Sequence, residues 1–281
     1  MSVEAPERVP RVGGRPRGTA GRGWRRPAVL PVYTWLMIVY LSLPILVMIV
    51  FGFNKPRGRL HLRWQGFTLQ WYRDLFAIAE LTTALRNSLT IALASTVIAT
   101  VFGTMIGLSL GRYRYRGKGG VDLLMFANIA APELVLGSAL LTLFITLQIP
   151  RGYITILIAH VMFCLAFVAV TVRARLAGFD VSLEEAAQDL GADRWTTFRK
   201  VTLPLVFPGI LAGALLAFAL SIDDYIITSF NSGQTVTFPL WVYGATRGGV
   251  PPQVNVMGTL IFLGGVGLAV ANAVALRRRR Y

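Results

Sequence analysis

Cysteine and charge are both scarce in this chain. Its 281 residues include one cysteine, Cys164, which excludes an intrachain disulfide and a cysteine-rich metal site. The two histidines, His61 and His160, lack the spacing of a metal pair, so we interpret them as a loop residue and a packed helix residue. Charged residues make up only 15%, whereas soluble domains carry about a quarter. With 54% hydrophobic residues, the composition indicates an integral membrane protein.

A phosphate-binding loop for ATP hydrolysis is also missing. The most similar segment, "GRYRYRGKGG", has Arg112 where a Walker motif needs glycine and Gly119 where it needs serine or threonine. We therefore interpret it as a basic turn, and we expect no catalytic residue, metal or cofactor in this chain. If the protein moves a solute uphill, the energy has to come from an ion gradient or from a partner.

Long apolar runs are abundant, and six of them reach the length of about 20 residues that crosses a bilayer. Five are free of charge, and the third is interrupted only by Glu133. They cover residues 31–53, 87–110, 123–147, 152–172, 201–222 and 254–276. The sequence therefore predicts an all-α membrane protein with six spans and both termini on one side.

The basic residues predict the orientation. With the N-terminus inside, 20 of the 28 Lys and Arg residues lie in cytoplasmic segments, as expected of a membrane protein. Residues 1–28 are predicted to be a disordered basic tail, 29–276 the transmembrane domain, and 277–281 a basic cytoplasmic end. Because the basic clusters lie at helix ends and no nucleic-acid module surrounds them, we expect contact with anionic membrane lipid and no nucleic-acid binding.

Residues 173–204 form a charged cytoplasmic loop between the fourth and fifth spans. Ser182 and Glu185 have the spacing of a capping box, which predicts a helix from about residue 183. Gly191 is typical of a helix end, and Asp193 is suited to cap a second short helix. The apolar residues of this pair need a packing partner; they are Ala186, Ala187, Leu190, Trp195 and Phe198.

The segment "EAAQDLGADRWTTFRKVTLP" resembles the EAA loop of ABC-importer permeases. It has Glu-Ala-Ala, three residues, Gly, nine residues, and an Ile-x-Leu-Pro ending in which Val201 replaces isoleucine. The resemblance implies the type I ABC-importer permease fold, with this loop as the coupling helix seated on an ATPase subunit. Glu185 would then pair with basic groups of the ATPase, and Pro204 would start the fifth span. The implied coupling residues are Glu184, Glu185, Ala186, Ala187, Gly191, Leu203 and Pro204.

Two further phrases resemble the spermidine/putrescine permease subfamily. They are "APELVLGSALLTLF" and "SIDDYIITSFNSGQTVTFPLWVYGATRGGVPPQVNVMGTL". The resemblance implies a polyamine cargo, with ferric ion, thiamine, opines or aminoethylphosphonate as alternatives from the wider group. It also implies three kinds of partner: ABC ATPase subunits, a second permease subunit and an extracytoplasmic substrate-binding protein.

A few acidic and aromatic residues in these phrases are candidates for the substrate pathway. Ionisable groups inside a membrane usually face a cavity or a partner, but Glu133 could equally form a buried hydrogen bond that pins a kink at Pro132. Of two adjacent carboxylates, at most one can point directly into a narrow path, and the other would be a rim or capping residue. The nearby aromatics could stack on an organic cation or form an ordinary interfacial belt. The candidates are Glu133, Asp223, Asp224, Tyr225, Trp241 and Tyr243.

Two other classes fit the sequence less well. An ion-driven secondary transporter usually has more spans or an internal repeat, and no clear repeat is visible here. A membrane-anchored assembly or signalling protein would need an extra folded module. Small residues suit close helix packing, and the glycines expected at such contacts are Gly103, Gly107, Gly137, Gly209 and Gly213.

Overall fold

The computed structural model describes residues 29–55 and 63–278. The predicted tail, residues 1–28, lies outside the described residues. The predicted basic end, 277–281, is described only through Arg278. Both therefore stay predictions.

The described chain is helical, with a single short antiparallel bridge between Asn54 and Phe67. A π-helical turn, Phe198–Thr202, joins the eighth helix to the ninth. The helices are α1 (Val29–Phe51), α2 (Gln70–Arg73), α3 (Ala79–Arg112), α4 (Lys118–Ala130), α5 (Glu133–Thr146), α6 (Tyr153–Leu176), α7 (Ser182–Asp189), α8 (Arg194–Thr197), α9 (Leu203–Ile222), α10 (Ile226–Asn231), α11 (Phe238–Ala245) and α12 (Pro252–Arg278).

The chain divides inside α1 into two units, Met1–Pro44 and Ile45–Tyr281. In the first unit, residues 29–44 form an apolar helix in which every side chain except that of Ser42 is exposed. Such a surface is suited to a hydrocarbon environment, because apolar side chains gain nothing by facing water. The second unit contains the packed core.

Within the described residues, five helices are long and apolar enough to span a membrane. They are Val29–Phe51, Ala79–Arg112, Tyr153–Leu176, Arg194–Ile222 and Pro252–Ala271. The pair formed by α4 and α5 passes the same test together, but the two are bent by 110°. The prediction of six spans is confirmed when the bent pair counts as one span.

The third span is broken and not merely kinked, so the prediction of one helix over residues 123–147 is wrong. Ala131 has an extended backbone, with φ −71° and ψ 133°, because the ring of Pro132 disfavours a helical residue before it. Pro132 also has no N–H to continue the helix. Glu133 consequently stands at the beginning of α5, and not in the middle of a continuous helix.

The main core lies where α3, α6 and α9 pack against one another, with α5 and α10 against α6. It is built from small and β-branched side chains, among them Cys164, Val168, Val206, Ala217 and Ile227. A second cluster around Leu81, Val256 and Met257 joins α3 to the start of α12. We call the end of this bundle that carries α7 and α8 the loop end, and the end that carries α2, α10 and α11 the opposite end.

All five predicted contact glycines lie at close helix approaches. A Cβ atom on Gly103 would lie 2.7 Å from Val168 Cβ, and one on Gly107 would lie 2.6 Å from the Ala169 carbonyl oxygen. A Cβ on Gly137 would lie 2.8 Å from the Phe230 side chain, and one on Gly209 would lie 2.6 Å from the Arg175 side chain. One on Gly213 would lie 3.3 Å from the Val168 side chain. The glycines of α3 and α9 let these helices approach α6 nearly to backbone contact, and Gly137 does the same for α5 and α10.

Replacing Gly107 by alanine is expected to lower the free energy of unfolding by about 1–3 kcal/mol, as overpacking does. The new Cβ meets a backbone oxygen of α6, which cannot move aside as a flexible side chain can. Thermal unfolding of the purified protein in detergent measures the effect. Gly265→Ala on α12 is the matched control, because its Cβ would meet nothing within 4 Å. Equal stability of the two variants would contradict the prediction.

Candidate functional site

At the loop end, α7 and α8 form a helix–turn–helix. Gly191 makes the turn with φ +87°, a conformation that glycine adopts without strain, and Asp193 accepts a hydrogen bond from Trp195 N–H at 3.2 Å. Both predictions are confirmed. The predicted capping box is wrong: Ser182 is already helical, and its N–H donates to Asp180 Oδ1 at 3.0 Å. Asp180 therefore supplies the cap, two residues before the helix.

The two capping carboxylates have lowered pKa values. A hydrogen bond from the Ser182 backbone N–H lowers the pKa of Asp180, and one from the Thr196 side chain is the main cause that lowers the pKa of Asp193. Because hydrogen bonds favour the ionised form, both aspartates stabilise the folded loop when charged. This contribution is complete above the ordinary pKa of aspartate and is lost as the pH falls through the lowered values.

The loop end carries an exposed apolar surface. Leu190 is 90% exposed and Trp195 is 66% exposed, and the Trp195 ring stacks on Phe198 with centroids 5.8 Å apart. Leu183 and Ala186 are exposed on the same helix pair, and Ala187 is half-buried. We call Leu183, Ala186, Leu190 and Trp195 the apolar loop surface. Large apolar side chains exposed together typically mark an interaction site.

The adjacent glutamates of α7 point in different directions. Glu185 is exposed and has no ion pair among residues 29–55 and 63–278. Glu184 is only 8% exposed, and its carboxylate accepts hydrogen bonds from Arg112 and from the Thr202 hydroxyl. The charge of Glu184 is therefore paired inside this chain, and only Glu185 is exposed to a partner.

The end of the EAA-like segment leads directly into a span. Leu203 is the first residue of α9 and Pro204 the second, where a missing N–H costs no helical hydrogen bond. Together with α8 and the π-helical turn, α9 forms one continuous helix from Arg194 to Ile222. The loop end is thereby joined to the fifth span without a break in the helix.

At the opposite end, three of the predicted pathway residues line one open cleft. Asp223, Tyr225 and Tyr243 lie on a cavity of about 560 Å³, and the two tyrosine rings are 4.7 Å apart between centroids. Glu133 is exposed at the start of α5 and is not among the residues that line this cavity. The alternative of a buried hydrogen bond at Glu133 is wrong, because the described residues offer its exposed carboxylate no such bond.

Asp224 is buried beneath this cleft. Its Oδ2 accepts from the Thr228 N–H at 2.8 Å and from the Thr228 hydroxyl at 2.6 Å, and lies 3.2 Å from His160 Nε2. On the other side of the imidazole, His160 Nδ1 lies 2.7 Å from Ser221 Oγ, which is 2.9 Å from Ser95 Oγ. This buried chain, which we call the histidine network, ties α3, α6, α9 and α10 together. Asp224 thus caps α10, while its neighbour Asp223 is exposed.

Trp241 lies apart from the other aromatic candidates. It lines a different cleft, together with Trp71 and Gln253, and packs against the second apolar cluster. The reason is the direction of α11, on which Trp241 and Tyr243 are two residues apart and therefore point to opposite sides. Trp241 therefore does not share the cleft of Asp223 and Tyr225.

The sequence interpretation missed Arg112, Ser221 and the bonding of His160. Arg112 was noticed only as a departure from a Walker motif, and His160 was identified as packed but without a partner. Their partners are 72, 61 and 68 residues away along the chain. No local spacing signals such pairs, because they exist only once the helices have packed.

Comparison with known proteins agrees with this architecture. The family model described as "Binding-protein-dependent transport system inner membrane component" matches residues 103–277. The spermidine/putrescine transport system permease protein PotC of Escherichia coli K12 is 41% identical over 239 residues, 85% of this chain and 90% of that protein. The putrescine transport system permease protein PotI of the same organism is 39% identical over 253 residues, 87% of each chain.

Solved structures share the fold. A bacterial ABC transporter involved in the import of the acidic polysaccharide alginate has a TM-score of 0.63 at 19% identity, covering 89% of this chain and 94% of that one. The inward-facing MetNI methionine ABC transporter has a TM-score of 0.61 at 16% identity, covering 72% and 97%. The fold is that of type I ABC-importer permeases. With several apolar spans and this family match, the chain is a multi-pass protein of the bacterial plasma membrane and belongs to the inner-membrane components of binding-protein-dependent transport systems.

Proposed function

We propose that this permease forms one half of the path through which an ATP-driven importer moves a small organic cation, of the spermidine and putrescine class. The observation that carries the substrate class is the cleft at the opposite end, where the exposed Asp223 carboxylate lies beside two tyrosine rings. The names of the relatives at 41% and 39% identity support the same class.

The chemistry of the cleft suits a primary or secondary ammonium group. A carboxylate attracts the charge directly, and aromatic faces attract cations through the ring quadrupole. Glu133 adds a second exposed carboxylate at the start of α5. In this proposal Glu133, Asp223, Tyr225 and Tyr243 contact the cargo. Asp224 supports them from below through the histidine network, and Trp241 has no contact with the cargo.

The loop end supplies the coupling to ATP. We place it in the cytoplasm, with both termini, and let the apolar loop surface sit in a groove of an ATPase subunit. Glu185 faces outward and pairs with basic groups of that subunit, while Ala186 and Ala187 allow close approach. Leu203 and Pro204 pass the displacement to α9, which leads along its length to Asp223.

The remaining parts of the transporter are other proteins. A second permease subunit completes the path, and an extracytoplasmic binding protein delivers the cargo. When two ATPase subunits close on ATP, they bring the two coupling loops together and turn the path toward the outside. Opening after hydrolysis then returns the path, with the cargo, to the inside.

Uptake into proteoliposomes that contain the whole complex tests this function. Radiolabelled spermidine is expected to accumulate only with ATP on the ATPase side and with the binding protein present. Uptake that persists without ATP would favour a secondary transporter. Titrating the binding protein with spermidine, putrescine, ferric ion, thiamine, an opine and aminoethylphosphonate decides between the cargo classes. Tight binding of one of the last four, without polyamine binding, would overturn the proposed cargo.

Asp223→Asn is expected to lower spermidine uptake by about 10- to 100-fold, since a charge-assisted contact is worth roughly 1.5–3 kcal/mol. The variant keeps the shape of the side chain and removes its charge. Initial uptake rates at limiting polyamine measure the effect. Asp74→Asn is the matched control, because Asp74 is also exposed and follows α2 at the same end. Equal rates for the two variants would remove Asp223 from the path.

A further inference from the structure

Glu184 is the one buried carboxylate of the coupling loop. Both of its carboxylate oxygens accept from the two terminal nitrogens of Arg112, which is a fork-to-fork arrangement. A third hydrogen bond comes from the Thr202 hydroxyl. Arg–carboxylate pairs of this geometry restrict both distance and angle, unlike the single contact of a surface pair.

The partners of Glu184 come from the ends of different spans. Arg112 is the last residue of α3, and Thr202 is the last residue before α9. The guanidinium carbon of Arg112 also lies 5.2 Å from the ring centroid of Phe179, in the connection that follows α6. One carboxylate on α7 therefore holds α7 against the loop ends of α3 and α9, and Arg112 in turn contacts the connection that follows α6. We call Arg112, Glu184, Thr202 and Phe179 the loop clamp.

The clamp matters because α7 is otherwise weakly held. It is eight residues long, it follows a turn that contains Gly178, and it ends at Gly191 with positive φ. Its outer face consists of exposed residues such as Leu183, Glu185 and Ala186. Short helices flanked by turns have little stability of their own, so the inward face has to supply the attachment.

We propose that Glu184 is a positioning residue that makes α7, α3 and α9 move as one body when the ATPase moves. The proposal rests on the proposed docking of the apolar loop surface on an ATPase subunit. Through the clamp, a displacement of α7 reaches α3 by Arg112 and α9 by Thr202. Without it, α7 follows the ATPase while the spans stay behind, so ATP is hydrolysed without transport.

The test compares assembly, hydrolysis and uptake in the complete complex in proteoliposomes. Glu184→Gln is expected to leave the ATPase bound, because the apolar loop surface is unchanged, and to lower the ratio of spermidine taken up to ATP hydrolysed at least about tenfold. Asp189→Asn is the matched control, since Asp189 is an exposed acidic residue of the same helix without an ion pair in the described chain. Its ratio is expected to equal that of the wild type.

Two further variants separate a mechanical role from misfolding. Exchanging the charges, with Arg112→Glu and Glu184→Arg in one chain, is expected to bring the ratio back to within about threefold of the wild type, because the attraction is restored. Thr202→Val keeps the ion pair and is expected to give an intermediate ratio. If Glu184→Gln does not accumulate in the membrane, the Arg112→Glu, Glu184→Arg variant is the test. An uptake-to-hydrolysis ratio well below that range would then refute the clamp.

Specific outcomes overturn the clamp. A ratio of uptake to hydrolysis in Glu184→Gln that equals that of the wild type would do so. A ratio in the charge-exchanged variant that is no higher than in Glu184→Gln would also do so. Failure of the proposed function looks different: the wild-type complex would take up spermidine without ATP, or would bind no ATPase. If the wild-type complex takes up spermidine only with ATP, and Glu184→Gln has the same ratio of uptake to hydrolysis, the clamp is refuted but the proposed function is not.

Discussion

Replacing Leu190 by aspartate is expected to release the ATPase subunit from the permease. Leu190 is 90% exposed, so burying it in a groove removes nearly the whole side chain from water, a gain of about 1.5–3 kcal/mol. Aspartate loses that gain and adds the cost of desolvating a charge. The two effects together weaken the affinity by at least about 100-fold, which corresponds to about 2.7 kcal/mol.

Titration of ATPase subunits onto the permease in lipid nanodiscs measures this affinity directly. The matched control is Leu69→Asp, the same chemical change at an exposed leucine of the opposite end, which is expected to leave ATPase binding unchanged. Leu190→Ala should fall between, because it removes apolar area without adding charge. Undiminished binding by Leu190→Asp would show that the apolar loop surface is not where the ATPase docks.

The second large effect is expected from His160→Leu, which leaves Asp224 buried without its imidazole partner. Leaving a buried polar group short of a hydrogen-bond partner costs about 1–3 kcal/mol, and more for a charged group such as a carboxylate, which is a large share of the stability of a folded domain. His160 is 2% exposed and Asp224 is 8% exposed, so water cannot replace the lost partner. We expect a strong drop in the free energy of unfolding and weak accumulation in the membrane.

Thermal unfolding of the purified variant in detergent measures this loss of stability. Asp224→Asn in the His160→Leu background should recover part of the loss, because asparagine removes the stranded charge and still accepts the Thr228 N–H. Cys164→Ala is the control for packing: Cys164 is buried on the same helix, four residues on, and carries no charge. If His160→Leu costs no more than Cys164→Ala, or if the double variant is no better, the buried pair is not a stabilising unit.

The features that were predictable from the sequence depend on interactions between residues that are close together along the chain. Apolar runs of about 20 residues have to be helical in a membrane, because the backbone finds no other hydrogen-bond partners there. Gly191 and Asp193 act on residues two or three positions away, so their roles follow from local spacing. The EAA-like segment is likewise one continuous stretch, and its family followed from it.

Other features were open until the helices had packed. Ser182 and Asp180 are both residue types that can cap α7. Because the helix begins at Ser182, one residue earlier than expected, Asp180 is the residue that accepts from its first N–H. Pro132 signals a disturbance in any helix, but the 110° bend between α4 and α5 and the packing of Gly137 against Phe230 and Ile227 are visible only in the folded chain. The single residue between Trp241 and Tyr243 put the two rings in different clefts once α11 had an orientation.

By itself the sequence determined the membrane class, six apolar spans, the EAA-like loop and the family, since each of these is encoded in contiguous residues. Only the tertiary structure decided which member of each acidic pair is free. Of Glu184 and Glu185, and of Asp223 and Asp224, one carboxylate is buried with a distant cation or imidazole and the other is exposed. Neighbouring side chains on a helix point about 100° apart, so which of them meets Arg112 or His160 is settled by packing between spans, not by spacing along the chain.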